Sequence, residues 1–283
     1  MSRKFILAVI VLVLGSFACS LQNLQMQTID PQWININEPL PGNRNETELV
    51  FKMTGGKFTL SPGADRLVNG HITYNVRRWE PEFIRQDNYF EIRQSNPLSF
   101  TGIPTGEVEN QWSLELTNAL PLKMTIEGGA SENDFDLTGL QLTNLRIVQG
   151  ASDTTIRFEA PNPEVMQEFI FTTGASSAKL VGLGHANFQR MTMSGGAGDY
   201  TLDFSGSLTQ DATVDIKAGI SNLTLVIPAD MHAVINNKGA VSNINTRGTW
   251  LVTDNTYATL NEGFTLTINL DLAVGNINMV HQE

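Results

Sequence analysis

The chain has 283 residues, with 29 acidic and 18 basic side chains and a formal net charge of −11 at pH 7. An acidic surface repels phosphate backbones and anionic lipids, so nucleic acid is excluded as an expected partner. The chain holds 24 Gly, 11 Pro and a single Cys. This composition favours short strands and turns over long helices, and one cysteine forms no internal disulfide.

The first 18 residues are typical of an export signal. Arg3 and Lys4 precede an apolar run at residues 5–14, which is far shorter than the ~20 residues that a membrane-spanning helix needs. Cys19 follows small residues, at the place where a bacterial lipoprotein carries its lipid. We expect residues 1–18 to be a lipoprotein signal and Cys19 to be lipidated. Plain secretion and an uncleaved anchor are the alternatives.

The segment after the signal divides into a tether and a β segment. Residues 19–47 have no helical periodicity and contain three prolines, which predicts a tether that holds the folded part off a membrane. Residues 48–123 hold short alternating apolar runs between proline-containing loops. They are predicted to be the irregular start of the main fold, with Trp79 and Trp112 covering its open end.

From residue 124 onward the chain is repetitive. Each repeat has a small residue followed by a polar one, and Gly56 extends the same frame into the N-terminal segment. We call these small residues the anchors: Gly56, Ser131, Ser152, Ser176, Gly198, Ser221, Ser242 and Gly275. From Ser131 to Ser242 the intervals are 21, 24, 22, 23 and 21 residues. Apolar residues recur four positions after the anchor and five and seven positions before it, as at Leu202, Met193 and Met191.

Period-2 apolar spacing on both sides of each anchor predicts short strands with one inward face, joined by a tight turn. A regular repeat of this length with no helical segment predicts an all-β fold. The expected form is a single-stranded β-solenoid, or β-helix, with coils of ~22 residues over residues 124–283. A sandwich of independent hairpins is the competing interpretation, but hairpins give turns every ~8–12 residues.

The last interval, from Ser242 to Gly275, is 33 residues long and holds an insertion at residues 246–263. Loops that grow from repeats often carry binding residues. Four residues of the insertion are candidate contacts for a ligand or partner: Arg247, Trp250, Asp254 and Tyr257. The alternative is that the two aromatic rings seal the C-terminal end, which an open solenoid must cover.

No motif in the sequence predicts catalysis, a metal site or a cofactor. The stretch SGGAGDYTLDFSG (194–206) lacks the nine-residue period of a calcium loop and the helix that follows a dinucleotide loop. The histidines fall in unrelated repeat positions.

Arg77 and Arg78 beside Trp79 would suit an anionic sugar, although a solvated loop is the simpler interpretation. Six acids near the turns are interpreted as a hydrated face that blocks edge-to-edge aggregation: Asp134, Asp136, Asp153, Asp199, Asp203 and Asp215.

Four stretches resemble the bacterial toast-rack family: WSLELTNALPLKMTIEGGAS (112–131), FDLTGLQLTNLRIVQGAS (135–152), NFQRMTMSGGAGDYTLDFSG (187–206) and, for its N-terminal segment, ELVFKMTGGKFTLSPGADRLVNGHITYN (48–75). The resemblance covers most of residues 48–283. It implies a β-solenoid of an exported or membrane-linked protein, related to cell-wall-active antibiotic response proteins and adhesin-like proteins. It also implies a role in sensing, scaffolding or adhesion, and no catalytic set.

These observations together predict a non-enzymatic protein of the cell envelope, either adhesin-like or a scaffold. We expect it to be exported to the outer face of the cytoplasmic membrane or the cell surface and to be anchored by a lipid on Cys19. The expected partner is a cell-wall glycan or an envelope protein, with self-association left open and no cofactor. The alternatives are a carbohydrate-active β-helix enzyme, which needs a cleft with two carboxylates or an acid and an Arg, and an envelope-stress sensor component.

Overall fold

The computed structural model describes residues 25–94, 103–105, 107–239 and 243–282. The predicted export signal and Cys19 lie outside these residues. The described part is all-β, as predicted: it contains two short 3₁₀ turns, Arg77–Trp79 and Leu183–His185, and no α-helix. The strands are β1 (Gln25–Glu38), β2 (Thr47–Pro62), β3 (Val68–Val76), β4 (Glu82–Gln86), β5 (Tyr89–Arg93), β6 (Ile103–Thr105), β7 (Asn110–Leu116), β8 (Leu122–Asp136), β9 (Leu142–Gln149), β10 (Ser152–Arg157), β11 (Met166–Val181), β12 (Phe188–Asp203), β13 (Ala212–Ile227), β14 (His232–Asn237), β15 (Asn243–Arg247), β16 (Leu251–Thr253), β17 (Thr256–Ala258) and β18 (Thr265–His281).

Most of these strands lie in parallel, one repeat over the next, and we call this assembly the stack. Its levels run from β5 with β7, through β2, β8, β9 with β10, β11, β12, β13 and β18, to β14 with β15. The pairing places successive anchors on one line: Gly56, Ser131, Ser152, Ser176, Gly198, Ser221 and Gly275. The register is therefore the one that the sequence repeat predicted.

Each repeat contributes a first arm before the anchor and a second arm after it, and both arms bury alternate side chains. In β13, Val214 and Ile216 of the first arm and Leu223 and Leu225 of the second arm are all buried. Their register partners in β12 and β18 face the same interior, because side chains of a strand alternate with period two. Each fully buried side chain of this size contributes about 1.5–3 kcal/mol, so the continuous interior stabilises the stack.

A column of glycines lies at the bend between the arms, two residues before the anchor, in five successive repeats: Gly129, Gly150, Gly174, Gly196 and Gly219. A Cβ added to any of the last four would meet the carbonyl oxygen of the preceding glycine of the column at 2.6–2.9 Å. Neighbouring backbones thus approach too closely at the bend to leave room for a side chain. This close approach explains why Gly196, the second glycine of the GGAG stretch in β12, has no side chain.

The last levels of the stack do not follow the order of the chain, which corrects the expectation of a simple insertion. β18 pairs with β13 on one side and with β14 and β15 on the other, so β14 and β15 form the outermost level although they precede β18 in sequence. Residues 246–263 form the return connection. Within it, β16 and β17 make an antiparallel hairpin, and β17 pairs antiparallel with β14. The hairpin covers a strand edge that would otherwise remain open.

The N-terminal end is closed in a similar way. β5 and β7 pair in parallel with the two arms of β2 and form the outermost level. Antiparallel strands then cover this level, with β4 on β5, β3 on β7 and β1 on β3. Trp112 of β7 is buried and contacts Phe58 edge-on at a centroid distance of 5.3 Å. Trp79 packs against the same core while remaining partly exposed, which is consistent with the predicted covering role of both rings.

Part of the predicted tether lies in the sheet instead of in solvent. β1 spans Gln25–Glu38, within the segment 19–47, and its Ile36 is buried. Glu38 accepts a charge-assisted hydrogen bond from Arg85 of β4 at 2.6 Å. The alternation of Trp33, Ile34, Asn35 and Ile36 is the strand signal, and the three prolines of the segment obscured it. Docking β1 removes apolar side chains from water, which a free tether does not do.

Gly196→Ala is expected to lower the free energy of unfolding by about 1–3 kcal/mol, because overpacking at the bend forces the backbone to move. The new Cβ would lie 2.6 Å from the carbonyl oxygen of Gly174. Urea unfolding followed by circular dichroism measures the change. Gly42→Ala is the control, since nothing lies within 4 Å of its Cβ position, and its effect is expected to stay within about 0.5 kcal/mol. Equal stabilities of the two variants would contradict the close approach.

Candidate functional site

Trp250 and Tyr257 lie over the C-terminal end of the core, and both side chains are partly buried against it. The Trp250 indole contacts the His281 ring edge-on at a centroid distance of 5.7 Å and donates a hydrogen bond from Nε1 to the backbone oxygen of Arg247 at 3.0 Å. Tyr257 lies opposite Ile235, a fully buried residue of β14. These contacts favour the end-sealing role of the two aromatic residues.

The two charged candidates lie at the surface of the same end. Arg247 is the last residue of β15, and Asp254 has a φ of +51° in the turn between β16 and β17. Within the described residues neither side chain forms an ion pair. Arg247 contacts Trp250 only through its backbone oxygen, which accepts the indole hydrogen bond. None of the four candidates lines either of the two clefts described below.

Exposed apolar side chains at this end escaped the sequence analysis. Four of them are more than half exposed on or after the edge strand β16: Leu251, Val252, Leu260 and Phe264. Phe264 also borders a small cleft of about 190 Å³ that it shares with Asp230, His232 and Glu262. Adjacent apolar residues in the stretch WLVTD were the available signal, although sequence alone does not say whether such residues face the core or water.

A larger cleft, of about 690 Å³, lies at the N-terminal end of the stack. Most of its lining is polar: Thr28, Ile29, Asp30, Gln32, Tyr74, Arg77 and Glu80. Of these residues, the sequence analysis singled out only Arg77. The cleft combines β1, the end of β3 and the 3₁₀ turn after it, which lie more than 40 residues apart in the chain. No local motif marks such a site.

The backbone around this cleft is held in place by hydrogen bonds. β1 and β3 pair with a register shift between Thr28 and Gln32, and such a bulge bends a strand away from its neighbour. On the other side, the Asn75 side chain donates to the Glu107 backbone oxygen and accepts from the Glu109 backbone N–H, both at 2.8 Å. Most of the lining therefore belongs to β1 and β3, while Arg77 and Glu80 lie in and directly after the 3₁₀ turn.

The charges at the cleft act on Tyr74, whose ring is buried. Burial and the negative charge of Glu80 raise the pKa of the Tyr74 hydroxyl, while the nearby Arg77 lowers it by less. The phenol consequently stays protonated at neutral pH. The cleft thus offers two neutral hydroxyls, from Tyr74 and Thr28, the Gln32 amide, one guanidinium and the two carboxylates of Asp30 and Glu80.

Comparison with protein families decides the relationship of the chain. The family model for the N-terminal domain of toast-rack (DUF2154) matches residues 22–168 and, a second time, residues 162–226. The chain belongs to the toast-rack family. The matched residues include the N-terminal cleft and the stack up to β13, whereas β14 to β18 lie beyond the match. No curated protein matches the chain.

Three solved structures are similar to the toast-rack chain at low identity. A candidate cell adhesion protein from Clostridium sporogenes is 18% identical, with a TM-score of 0.49 and coverage of 89% of this chain and 99% of that chain. A candidate adhesin from Bacteroides fragilis is 8% identical, with a TM-score of 0.37 and coverage of 89% and 99%. A candidate lipid-binding protein from Parabacteroides distasonis is 6% identical, with a TM-score of 0.32 and coverage of 92% and 100%. At these TM-scores the similarities carry no functional argument.

Most acids of the predicted stripe make structural contacts in the toast-rack stack. Asp136 and Asp203 cap the turns after their second arms, where they accept backbone hydrogen bonds from Thr138 at 3.0 Å and Ser205 at 2.8 Å. Three more acids bond to the neighbouring repeat: Asp134 to Arg157, Asp199 to Asn222 and Asp215 to Arg190. These bonds favour the interpretation of the stripe as a hydrated structural face.

The described residues of the toast-rack chain contain no group of three or more His, Cys, Asp or Glu side chains that could hold a metal ion. Histidines make local contacts instead, such as His185 Nδ1 with the Phe158 backbone oxygen at 3.1 Å. Within the same described ranges, no helix has the length and hydropathy of a membrane-spanning segment.

Glu91 of β5 is a buried carboxylate that links the outermost N-terminal level to β2. It receives a hydrogen bond from the Tyr89 hydroxyl and an ion pair from Lys52 Nζ of β2 at 3.1 Å. Burial alone would raise the pKa of Glu91, but the bonds from Tyr89 and Lys52 outweigh it, so the pKa lies below its ordinary value. Burial and the bond to Glu91 raise the pKa of Tyr89 to about 12.

Glu91→Gln is expected to lower the free energy of unfolding by about 1–3 kcal/mol at pH 7, because a charge-assisted network loses its anion. Since folding lowers the pKa, the ionised form stabilises the protein above the ordinary Glu value of 4.5. That contribution is lost as the pH falls from 4.5 through the lower pKa of the folded state. Urea unfolding of both proteins from pH 7 to pH 3 should show the difference shrinking. The exposed Glu115→Gln serves as control, and a pH-independent difference would contradict the assignment.

Trp250→Ala is expected to lower the free energy of unfolding by about 1–3 kcal/mol, because the partly buried indole covers the end of the core. Thermal unfolding measures the loss. Leu260→Ala, at a side chain that is 70% exposed, is expected to change stability by less than about 0.5 kcal/mol. If Trp250→Ala were as stable as the control, the indole would not seal the toast-rack core.

Proposed function

We propose that this toast-rack chain is an exported β-solenoid that works as an adhesin-like binding protein or scaffold on the bacterial cell envelope. It acts without a catalytic step, and its partner is a cell-wall glycan. Residues 1–18 direct export, and a lipid on Cys19 holds the chain at the outer face of the membrane. Membership of the toast-rack family and the parallel register of the anchors support the solenoid.

The observation that carries this proposal is a set of polar ladders on the outer face of the stack. On the second arms, Asn222 Nδ2 donates to Asp199 Oδ1, and Asn276 Nδ2 donates to Asn222 Oδ1, both at 2.8 Å. The first arms carry a second ladder, in which each residue bonds to the next: Asp215, Asn269 and Asn236. Levels of a sheet lie ~4.8 Å apart, so the ladders hold polar groups at regular spacing. Such a surface suits an extended polymer with repeating hydroxyl groups.

A carbohydrate-active enzyme is the second candidate function, because the N-terminal cleft contains the residue types that it needs. Asp30 and Glu80 provide two carboxylates, and Arg77 provides a cation in the same cleft. Polysaccharide hydrolysis uses a pair of carboxylates on either side of the scissile bond. The ladders favour binding alone, whereas the residue types of the cleft would also suit turnover. Of the two candidate functions, only the enzyme releases reducing ends from the polymer.

Binding is tested with purified residues 20–283 and insoluble cell-wall polysaccharide in a sedimentation assay. Saturable binding without release of reducing ends is expected. Two double variants remove amides from one outer face each while leaving the core intact: Asn222→Ala with Asn276→Ala, and Asn236→Ala with Asn269→Ala. We expect one of the two double variants to weaken binding of the polymer several-fold, because each hydrogen bond that is lost contributes about 0.5–1.5 kcal/mol.

The other pair is the matched control, since it removes the same number of amides from the other arm of the repeats. Absence of binding by the unsubstituted chain would contradict the proposal. Release of reducing ends from the polymer would replace it with the enzyme.

A further inference from the structure

The N-terminal cleft has ionic groups that the protein does not use. In the described part of the chain, the side chains of Asp30, Arg77 and Glu80 form no hydrogen bond and no ion pair. Among the described residues, four other arginines are paired with carboxylates, namely Arg85, Arg93, Arg157 and Arg190, whereas Arg247 at the opposite end is not. A guanidinium and two carboxylates that share a cleft while remaining unpaired are available to a ligand.

We propose that this cleft binds a sugar that carries a single carboxylate, such as one acidic unit of an envelope polysaccharide. The inference rests on the proposed glycan binding and places a specific site for it. Arg77 pairs with the ligand carboxylate, because the planar guanidinium matches a carboxylate with two parallel hydrogen bonds. Asp30 and Glu80 accept hydrogen bonds from sugar hydroxyls. The neutral Tyr74 hydroxyl donates or accepts at the buried side of the cleft.

Charge separates this ligand from other anions. With Arg77, Asp30 and Glu80 ionised, the three side chains sum to −1, and the whole chain carries −11. A polyanion such as a nucleic acid or a polyphosphate is repelled by this field more strongly than a ligand with a single carboxylate. A ligand with one carboxylate and several hydroxyls satisfies the guanidinium and both acids together. The volume of about 690 Å³ lies within the range of small-molecule sites.

The site is tested with free sugars in two pairs of which one member carries a carboxylate. In glucuronate against glucose the carboxylate replaces a hydroxymethyl group, and in N-acetylmuramate against N-acetylglucosamine it is added with a lactyl ether. Isothermal titration of the chain without its signal is expected to show at least about tenfold tighter binding of the acid in one pair, because charge-assisted bonds are the stronger ones. Acetate carries a carboxylate without hydroxyls, and it is expected to bind more weakly than the acidic sugar.

Two variants locate the binding. Arg77→Gln is expected to weaken acid-sugar binding about tenfold or more and to remove the preference over the neutral sugar. Tyr74→Phe keeps the buried ring, removes one hydroxyl and is expected to weaken binding several-fold. Arg247 is an exposed arginine at the opposite end, and Arg247→Gln is expected to have no effect on binding of the acidic sugar. Thermal unfolding of each variant, with an unchanged midpoint, shows that the fold is intact.

The outcomes separate this inference from the proposed function. The chain could bind the polymer and yet bind acidic and neutral sugars with equal affinity, or be unaffected by Arg77→Gln. Either result overturns the assignment of the site to the cleft and leaves the proposed function standing. Loss of binding in Arg247→Gln instead moves the site to the C-terminal end and also overturns the inference. Absence of both polymer and sugar binding overturns the proposed function itself.

Discussion

Close approach of successive backbones at the bend is the constraint on which the rest of the structure depends. The glycine column lets the carbonyl of one repeat lie where the next repeat would otherwise place a Cβ, as at Gly196 over Gly174. With the bends superposed, the two arms pair in register, and alternate side chains meet in one interior. A shift of the pairing register by one residue at the bend would move the apolar side chains of an arm to the outer face. The glycines before the anchors permit this approach, and the anchors lie in register above one another.

A stack of parallel strands leaves two open ends, and the chain closes both with similar means. At each end the outermost level lies out of sequence order, and antiparallel strands cover it: β4, β3 and β1 at one end, and β17 with β16 at the other. Partly buried aromatic rings, Trp79 and Trp250, pack against the core at the two ends. Covering an edge prevents pairing with another chain. The return connections that achieve this are also the places where the fold departs from its repeat.

The polar groups of the protein divide according to this architecture. Along the sides of the stack, acids and amides bond to the neighbouring repeat, as Asp199 does with Asn222, and so contribute to stacking. At the N-terminal end the repeat is interrupted and β1 shifts register, which separates Asp30 and Arg77 from partners in a ladder. Irregularity thus brings unpaired charges together at a concave surface. Binding chemistry is expected where repetition fails.

Periodicity in the sequence determined the all-β class and the register of the anchors from Gly56 to Gly275, because inward positions must recur with period two on either side of a tight bend. The family followed from the resemblance of particular stretches and from the family match. The glycine column at Gly129 to Gly219 was visible at the same intervals, two residues before the anchors. Only the tertiary structure decided that β18 lies between β13 and β14, since both neighbours carry the same apolar pattern and local pattern does not select a level. It also decided that β1 joins the sheet and that Asp30, Tyr74, Arg77 and Glu80 share a cleft. These residues come together through pairing between distant strands, for which no local spacing exists in the chain.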